Sequence, residues 1–438
     1  MTAHSLSPIS YRSRMDRACE KLFDGALLVM APALSIRNSN QEYSFRQDSF
    51  FHYLTGFEEP SCALLILSQK PVGERYILFV REKNELEELW EGKRLGVSEA
   101  PNALQVDKAF PIGALWDKLP ELLDGASRLY CSMGRHEESD RHLIRALQKN
   151  KKRRGRTTTT VLPLFDSDII AGQLRLRKGP EEVERMKRAA AITKHTFDKI
   201  LKEVRPGMNE QQVWAWIMGE FMFQGAEMEA YTSIVAGGSN ACCLHYRSNN
   251  APLNDNELLL IDAGSQFQYY ASDVTRTFPI GKKFTPEQKA VYEVVLESQL
   301  KAIELAKPGS TLTAIYDKAS DVLADGMIQM GFFKQSKQEV MEKGLFKKYF
   351  PHNTSHWIGM DVHDVGDYHL DGKPRPLEPG MYFSVEPGIY IDPSDTTQPE
   401  GFRGIGIRIE DDVLITVQGH EIITAGIPKT VAELENRY

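Results

Sequence analysis

Long apolar runs are absent from this 438-residue sequence. The segment GALLVMAPAL, beginning at Gly25, falls well short of the roughly 20 residues that a helix needs to cross a bilayer. Mixed charges precede it, so it does not read as a secretory leader. An excess of basic charge is also missing: 53 Lys and Arg face 60 Asp and Glu, a net charge of −7. That balance argues against a surface dedicated to nucleic acid or anionic lipid. Cysteine is scarce. Cys19, Cys62, Cys131, Cys242 and Cys243 are odd in number and lack metal-binding spacing, and the adjacent pair is poorly placed to bridge to itself. A reducing, cytoplasmic setting is the expectation.

What is present suits a large globular core. The chain is 42% hydrophobic and 26% charged, so no disulfide staples are needed, and its length predicts two domains. Residues 1–172 read as the smaller, an α/β domain. The runs GALLVMA, CALLILS and RYILFV are its buried strands, and Lys118–Gly125 and Asp140–Gln148 its helices. The basic tract Lys149–Arg156, followed by four threonines, reads as a solvated linker.

Residues 173–438 change character. Gly179-Pro180-Glu181-Glu182 opens a long helix with proline in its first turn, and Met186, Ala190, Thr193, Phe197 and Ile200 follow at helical spacing. Thr285-Pro286-Glu287-Gln288 is a second start and carries a capping box. Each helix is followed by Pro-Gly (Pro206-Gly207, then Pro308-Gly309), a polar cap, a second helix and a closing glycine, Gly225 or Gly331. This internal repeat suggests two similar halves facing one site.

Acidic residues fall where apolar strands are expected. Asp262 ends the run LLLID, and Asp273 follows in what reads as the returning strand. Two aspartates meeting in a low-dielectric interior require a proton or a cation. Glu386 interrupts an apolar strand. In GIGIRIEDD, Ile405, Ile407 and Ile409 share one face, while Gly406, Arg408 and Glu410 share the other. Asp411 and Asp412 are expected to leave the buried face and cap a turn or pair with a base. Between the acidic segments lie His352, His356 and His363, in a stretch that reads as loop and strand. Two Asp and two Glu carry −4, which two divalent cations balance, and a neutral imidazole adds a fifth ligand. So hard a donor set predicts Mn²⁺, with Co²⁺, Fe²⁺ or Zn²⁺ as alternatives. A hydroxide shared between two such ions is the expected nucleophile.

The ordered series IDAG, SDVTRTFP, SHWIGMDVHDVG, SVEPGIYI and GIGIRIEDD resembles the pita-bread metallopeptidases, and within them the aminopeptidase P branch. FRQDSFFHYLTGFEEP and LWEGKRLG resemble that branch's N-terminal domain. The resemblance implies an α+β architecture: a pita-bread catalytic domain with pseudo-twofold halves, preceded by a domain for oligomerisation and substrate gating. It implies cleavage of the Xaa-Pro bond at the N-terminus of peptides. Asp262 would bind one metal, Asp273 and Glu410 would bridge both, and His356 and Glu386 would complete the other. His245 and His363 would line the substrate site and orient the scissile carbonyl, with Arg408 beside the bridging glutamate. Glu386 would handle the nucleophile's proton. Tyr231, His352 and Tyr390 would line the pocket. Trp90 matches a position that reaches a neighbouring subunit, which implies a homo-oligomer, dimer or tetramer. One departure is His352-Asn353, where the family has His-Gly, a change that matters if the backbone there is left-handed. Three other activities are open to this fold: a prolidase restricted to Xaa-Pro dipeptides, a non-catalytic peptide-binding relative, and a metal-free creatinase-type hydrolase. Loss of metal ligands would mark the last two, and all five ligand positions are intact.

Overall fold

Helix starts written into the sequence set the frame of the computed structural model, which describes residues 6–135, 137–157 and 160–436. The chain divides into two units, Pro8–Leu174 and Arg175 onward.

The first unit is built on a mixed six-stranded sheet. Its strands are β1 (Ala26–Met30), β2 (Ala63–Leu67), β3 (Tyr76–Val80), β4 (Lys108–Pro111), β5 (Leu129–Tyr130) and β6 (Leu164–Phe165), in the order β4-β3-β2-β1-β5-β6. β1, β2 and β3 pair antiparallel and the outer strands add in parallel. The helices of the unit include α1 (Tyr11–Lys21), α2 (Glu85–Glu91), α3 (Leu115–Leu122) and α4 (Glu137–Arg154). The three strands and two helices expected here are present, with α3 ending before Gly125. The basic tract is not a linker. Lys149–Arg154 forms the last turns of α4, because Leu143, Ala146, Leu147 and Asn150 give that helix a buried face.

The second unit repeats one plan twice. α5 (Pro180–Glu203) and α6 (Glu210–Phe223) open the first half, and α7 (Pro286–Ile303) and α8 (Leu312–Gln329) open the second. Asn209 and Thr285 each form a capping box, and Thr311 caps α8. The second helix of each pair ends alike. Gly225 (φ 94°) and Gly331 (φ 82°) are left-handed, and the next N–H in each case reaches back to close the last turn. In the first half a three-stranded antiparallel sheet follows: β7 (Ile234–Gly237), β8 (Leu258–Asp262) and β9 (Thr275–Pro279), with β8 central. In the second half β10 (Tyr382–Val385), β13 (Asp411–Thr416) and β14 (Gly419–Ile422) form the counterpart. β11 (Gly388–Tyr390) pairs with β12 (Gly406–Arg408). One apolar core joins the halves, from Phe197 and Phe221 to Ile389, Ile407 and Ile409.

Several local expectations shift. Asp273 lies just before β9 and Glu386 lies between β10 and β11, so both carboxylates project from strand ends. Glu410 follows β12 in the same way. Asp411 and Asp412 do not leave the buried face: they are 1% and 0% exposed. Asp411 does meet a base, Arg276 at 2.7 Å, together with Lys429 at 2.7 Å. Asp412 accepts the backbone N–H of Asp273 at 3.0 Å. Asn353 is not among the left-handed residues, so asparagine replaces glycine there without strain.

Candidate metal and substrate site

Strand register brings the acidic groups together. Asp262, at the end of β8, lies opposite Thr275 on β9. Thr275 in turn accepts the Glu410 N–H at its carbonyl, 3.1 Å, and donates its hydroxyl to Glu410 Oε2, 2.7 Å. The first half thereby fixes a carboxylate of the second. Nothing in the sequence singled out Thr275, since its role depends on a contact 135 residues away. Ligand atoms of Asp273, His356 and Glu410 all lie within 4.8 Å of one another. His356 Nε2 is 3.3 Å from Asp273 and 3.4 Å from Glu386. The Tyr231 hydroxyl reaches Asp262 at 2.5 Å and also contacts Asp273. All five expected ligands thus converge. Tyr231 sits among them rather than merely along the wall.

The remaining site residues form a second layer. Arg408 is buried and holds Asp262 at 2.6 Å, the Tyr390 hydroxyl at 3.0 Å and Thr275 at 3.1 Å. Tyr390 also meets His352 Nε2 at 2.9 Å. Burial and then Arg408 depress the His352 imidazole to about 4, so it is neutral at physiological pH. The His356 and His363 rings stand edge to face, 4.4 Å apart. Arg408, His352, His356 and His363, with His245, line a cavity of about 970 Å³ that also takes in Leu312, Thr313 and Tyr316 of α8. Tyr390, expected along this wall, is not among the lining residues: it is buried, and its hydroxyl is taken up by Arg408 and His352. Trp90 is not among its lining residues and stands 86% exposed on α2.

The electrostatics are unbalanced without a cation. Burial raises Asp273, Glu386 (to about 7) and Glu410, and each is pushed further by its acidic neighbours. Burial alone would lower His356, but Asp273 and Glu386 outweigh it and raise the ring to about 9. One tyrosine proton serves two aspartates. Four carboxylates so placed, with His356 Nδ1 near the Trp357 carbonyl (3.2 Å) and Nε2 turned to the acids, suit divalent cations.

The helix-paired fold and this oxygen-rich pocket define a metal-dependent peptidase of the pita-bread class. Residues 184–417 match the model of metallopeptidase family M24, and residues 11–130 match the aminopeptidase P N-terminal domain. The Xaa-Pro aminopeptidase of Haemophilus influenzae is 40% identical over 94% of this chain and 93% of its own length. The structure of Pseudomonas aeruginosa aminopeptidase PepP superposes with a TM-score of 0.91 at 40% identity, covering 98% of both chains. A zinc-substituted Escherichia coli aminopeptidase P in complex with product gives 0.91 at 37% identity, also over 98% of both chains. The chain belongs to metallopeptidase family M24, in its aminopeptidase P branch.

Proposed function

We propose that this chain removes the N-terminal residue from peptides whose second residue is proline, with Asp262, Asp273, His356, Glu386 and Glu410 holding two divalent cations. The observation that carries the reading is the convergence of four carboxylates and one imidazole at a cavity large enough for several residues of peptide. Asp262 would serve one ion, His356 and Glu386 the other, and Asp273 and Glu410 both. The bound pair supplies Lewis-acid polarisation of the scissile carbonyl and activation of water.

The protein's own groups do the rest. The acidic floor attracts the substrate's terminal ammonium and so selects a free N-terminus. Arg408 and Thr275 keep Asp262 and Glu410 from swinging away. Glu386 accepts a proton and returns it to the leaving proline nitrogen. His245 and His363 donate ring N–H groups to the carbonyl oxygen as charge develops there. An Xaa-Pro bond offers no N–H. His352 and Tyr231 supply instead a wall against which the pyrrolidine ring packs, and the Tyr390 hydroxyl fastens His352.

Manganese is the ion best suited to this hard donor set. The N-terminal domain, residues 1–172, is assigned to oligomerisation and gating. Exposed Leu86, Leu89 and Trp90 on α2 support assembly into a dimer or tetramer. The five cysteines are all thiols, in keeping with a cytoplasmic setting.

The test is cleavage of a short Xaa-Pro-Yaa-Zaa peptide after chelation and readdition of single metals. Activity should vanish, return most fully with Mn²⁺, and be much weaker on the Xaa-Pro dipeptide. Turnover by the metal-free protein would refute the metal assignment. A preference for the dipeptide would make the enzyme a prolidase.

A further inference from the structure

The cavity wall carries a cation that the proposed chemistry leaves unused. Of the lining residues, only Arg247 and Arg408 bear guanidinium groups. Arg408 is buried and fully engaged by Asp262, Tyr390 and Thr275. Arg247 is exposed, and among the described residues no carboxylate or hydrogen-bond acceptor engages its side chain.

Its backbone, by contrast, is pinned on both sides. Glu210, the first residue of α6, is completely buried. Its carboxylate accepts from Gly237 N, Asn240 Nδ2, Tyr246 OH and Ala251 N, all at 2.8–2.9 Å. Asn249 adds a second fastening. Its side chain accepts from Val235 N at 3.0 Å and donates to Ser233 O at 2.8 Å. The loop between Tyr246 and Asn249 is therefore held, and Arg247 leaves it as a free cation beside His245. Holding a loop this way without using its charged side chain leaves that charge pre-positioned for something that enters the cavity.

We propose that Arg247 is a specificity residue, which receives a peptide carboxylate downstream of the proline. The acidic floor takes the substrate's ammonium end, so a cation on the wall gives the cavity a polarity matched to a short zwitterionic peptide. The carboxylate has two sources, the chain terminus of a tri- or tetrapeptide or an acidic side chain after proline. This inference rests on the Xaa-Pro aminopeptidase reading.

The experiment compares KM and kcat for Ala-Pro-Ala-Ala as free acid and as amide, and for Ala-Pro-Glu-amide against Ala-Pro-Gln-amide. Wild type and Arg247→Gln, Arg247→Lys and Arg247→Glu are tested after metal loading. Arg247 is exposed, and equal thermal midpoints verify that the variants fold. Wild type should favour the carboxylate member of at least one pair by about three- to tenfold in KM, the range of a partly exposed charged hydrogen bond. Arg247→Gln should erase that preference with kcat on the amides unchanged, Arg247→Lys should keep part of it, and Arg247→Glu should reverse it. Discrimination in the first pair identifies the chain terminus, and in the second the side chain. No preference in wild type, or equal slowing of both members in Arg247→Gln, overturns the inference. A wild type that cleaves none of these peptides overturns the Xaa-Pro reading, and this inference with it.

Discussion

Asp273 and Glu410 are the residues on which the site's charge balance turns. Each is buried, raised by its neighbours and within reach of His356. Asp273→Ala or Glu410→Ala should abolish metal loading, measured by elemental analysis, and lower kcat by at least about a thousandfold. Full activity in either variant would remove the bridging role. Thr275 offers a subtler test. Its hydroxyl links Glu410 to Arg408, so Thr275→Val should weaken metal affinity by about 10–100-fold while leaving the fold intact. Metal titration monitored by activity recovery measures the shift. The carboxylates were legible in the sequence because each interrupts or ends an apolar run. Thr275 was not, because a threonine beside a buried aspartate has no local signature. Asp411 meets a base as expected but stays buried, because Arg276, 135 residues away in the chain, reaches it inside the core.

At the scale of elements, the starts and stops were the readable parts. Capping boxes at Asn209 and Thr285 satisfy the first helical N–H groups with residues three apart, so the signal is entirely local. Gly225 and Gly331 close equivalent helices with φ near 90°, and neither has an atom within 4 Å of where a Cβ would sit. The cost of alanine at either position is therefore conformational. Gly225→Ala and Gly331→Ala should each lose about 1–2 kcal/mol in urea unfolding, and the asparagine variants less. Equal losses for alanine and asparagine would point to a packing cause instead. Where tertiary packing decides, local reading failed. The basic tract at Lys149 looked like a tether, yet its helix is held by the buried side of Leu143 and Leu147. Asp273 and Glu386 read as strand residues from their apolar neighbours but lie just outside the strands, where the ladder ends and a carboxylate can turn inward.

For the whole molecule, the cluster couples stability to pH and to metal. The Glu386 carboxyl is raised to about 7 in the folded protein, against about 4.3 unfolded. Between those values the folded state binds more protons, so stability of the metal-free protein falls as pH rises from about 4 through about 7. The His356 shift to about 9 acts in the same direction at higher pH. Thermal midpoints of chelated protein should therefore decline across neutrality, and loading with Mn²⁺ should flatten the trend. A metal-free protein equally stable at pH 5 and pH 8 would show that the acids are not crowded as described.

The proposed donor set is shared between the two halves of the repeat. Asp262 and Asp273 come from the first, and His356, Glu386 and Glu410 from the second. No portion of the polypeptide that stops before residue 410 contains every donor. On the proposed ligand set, a product truncated ahead of that point would keep most of the pocket walls but lack Glu410, one of the five donors.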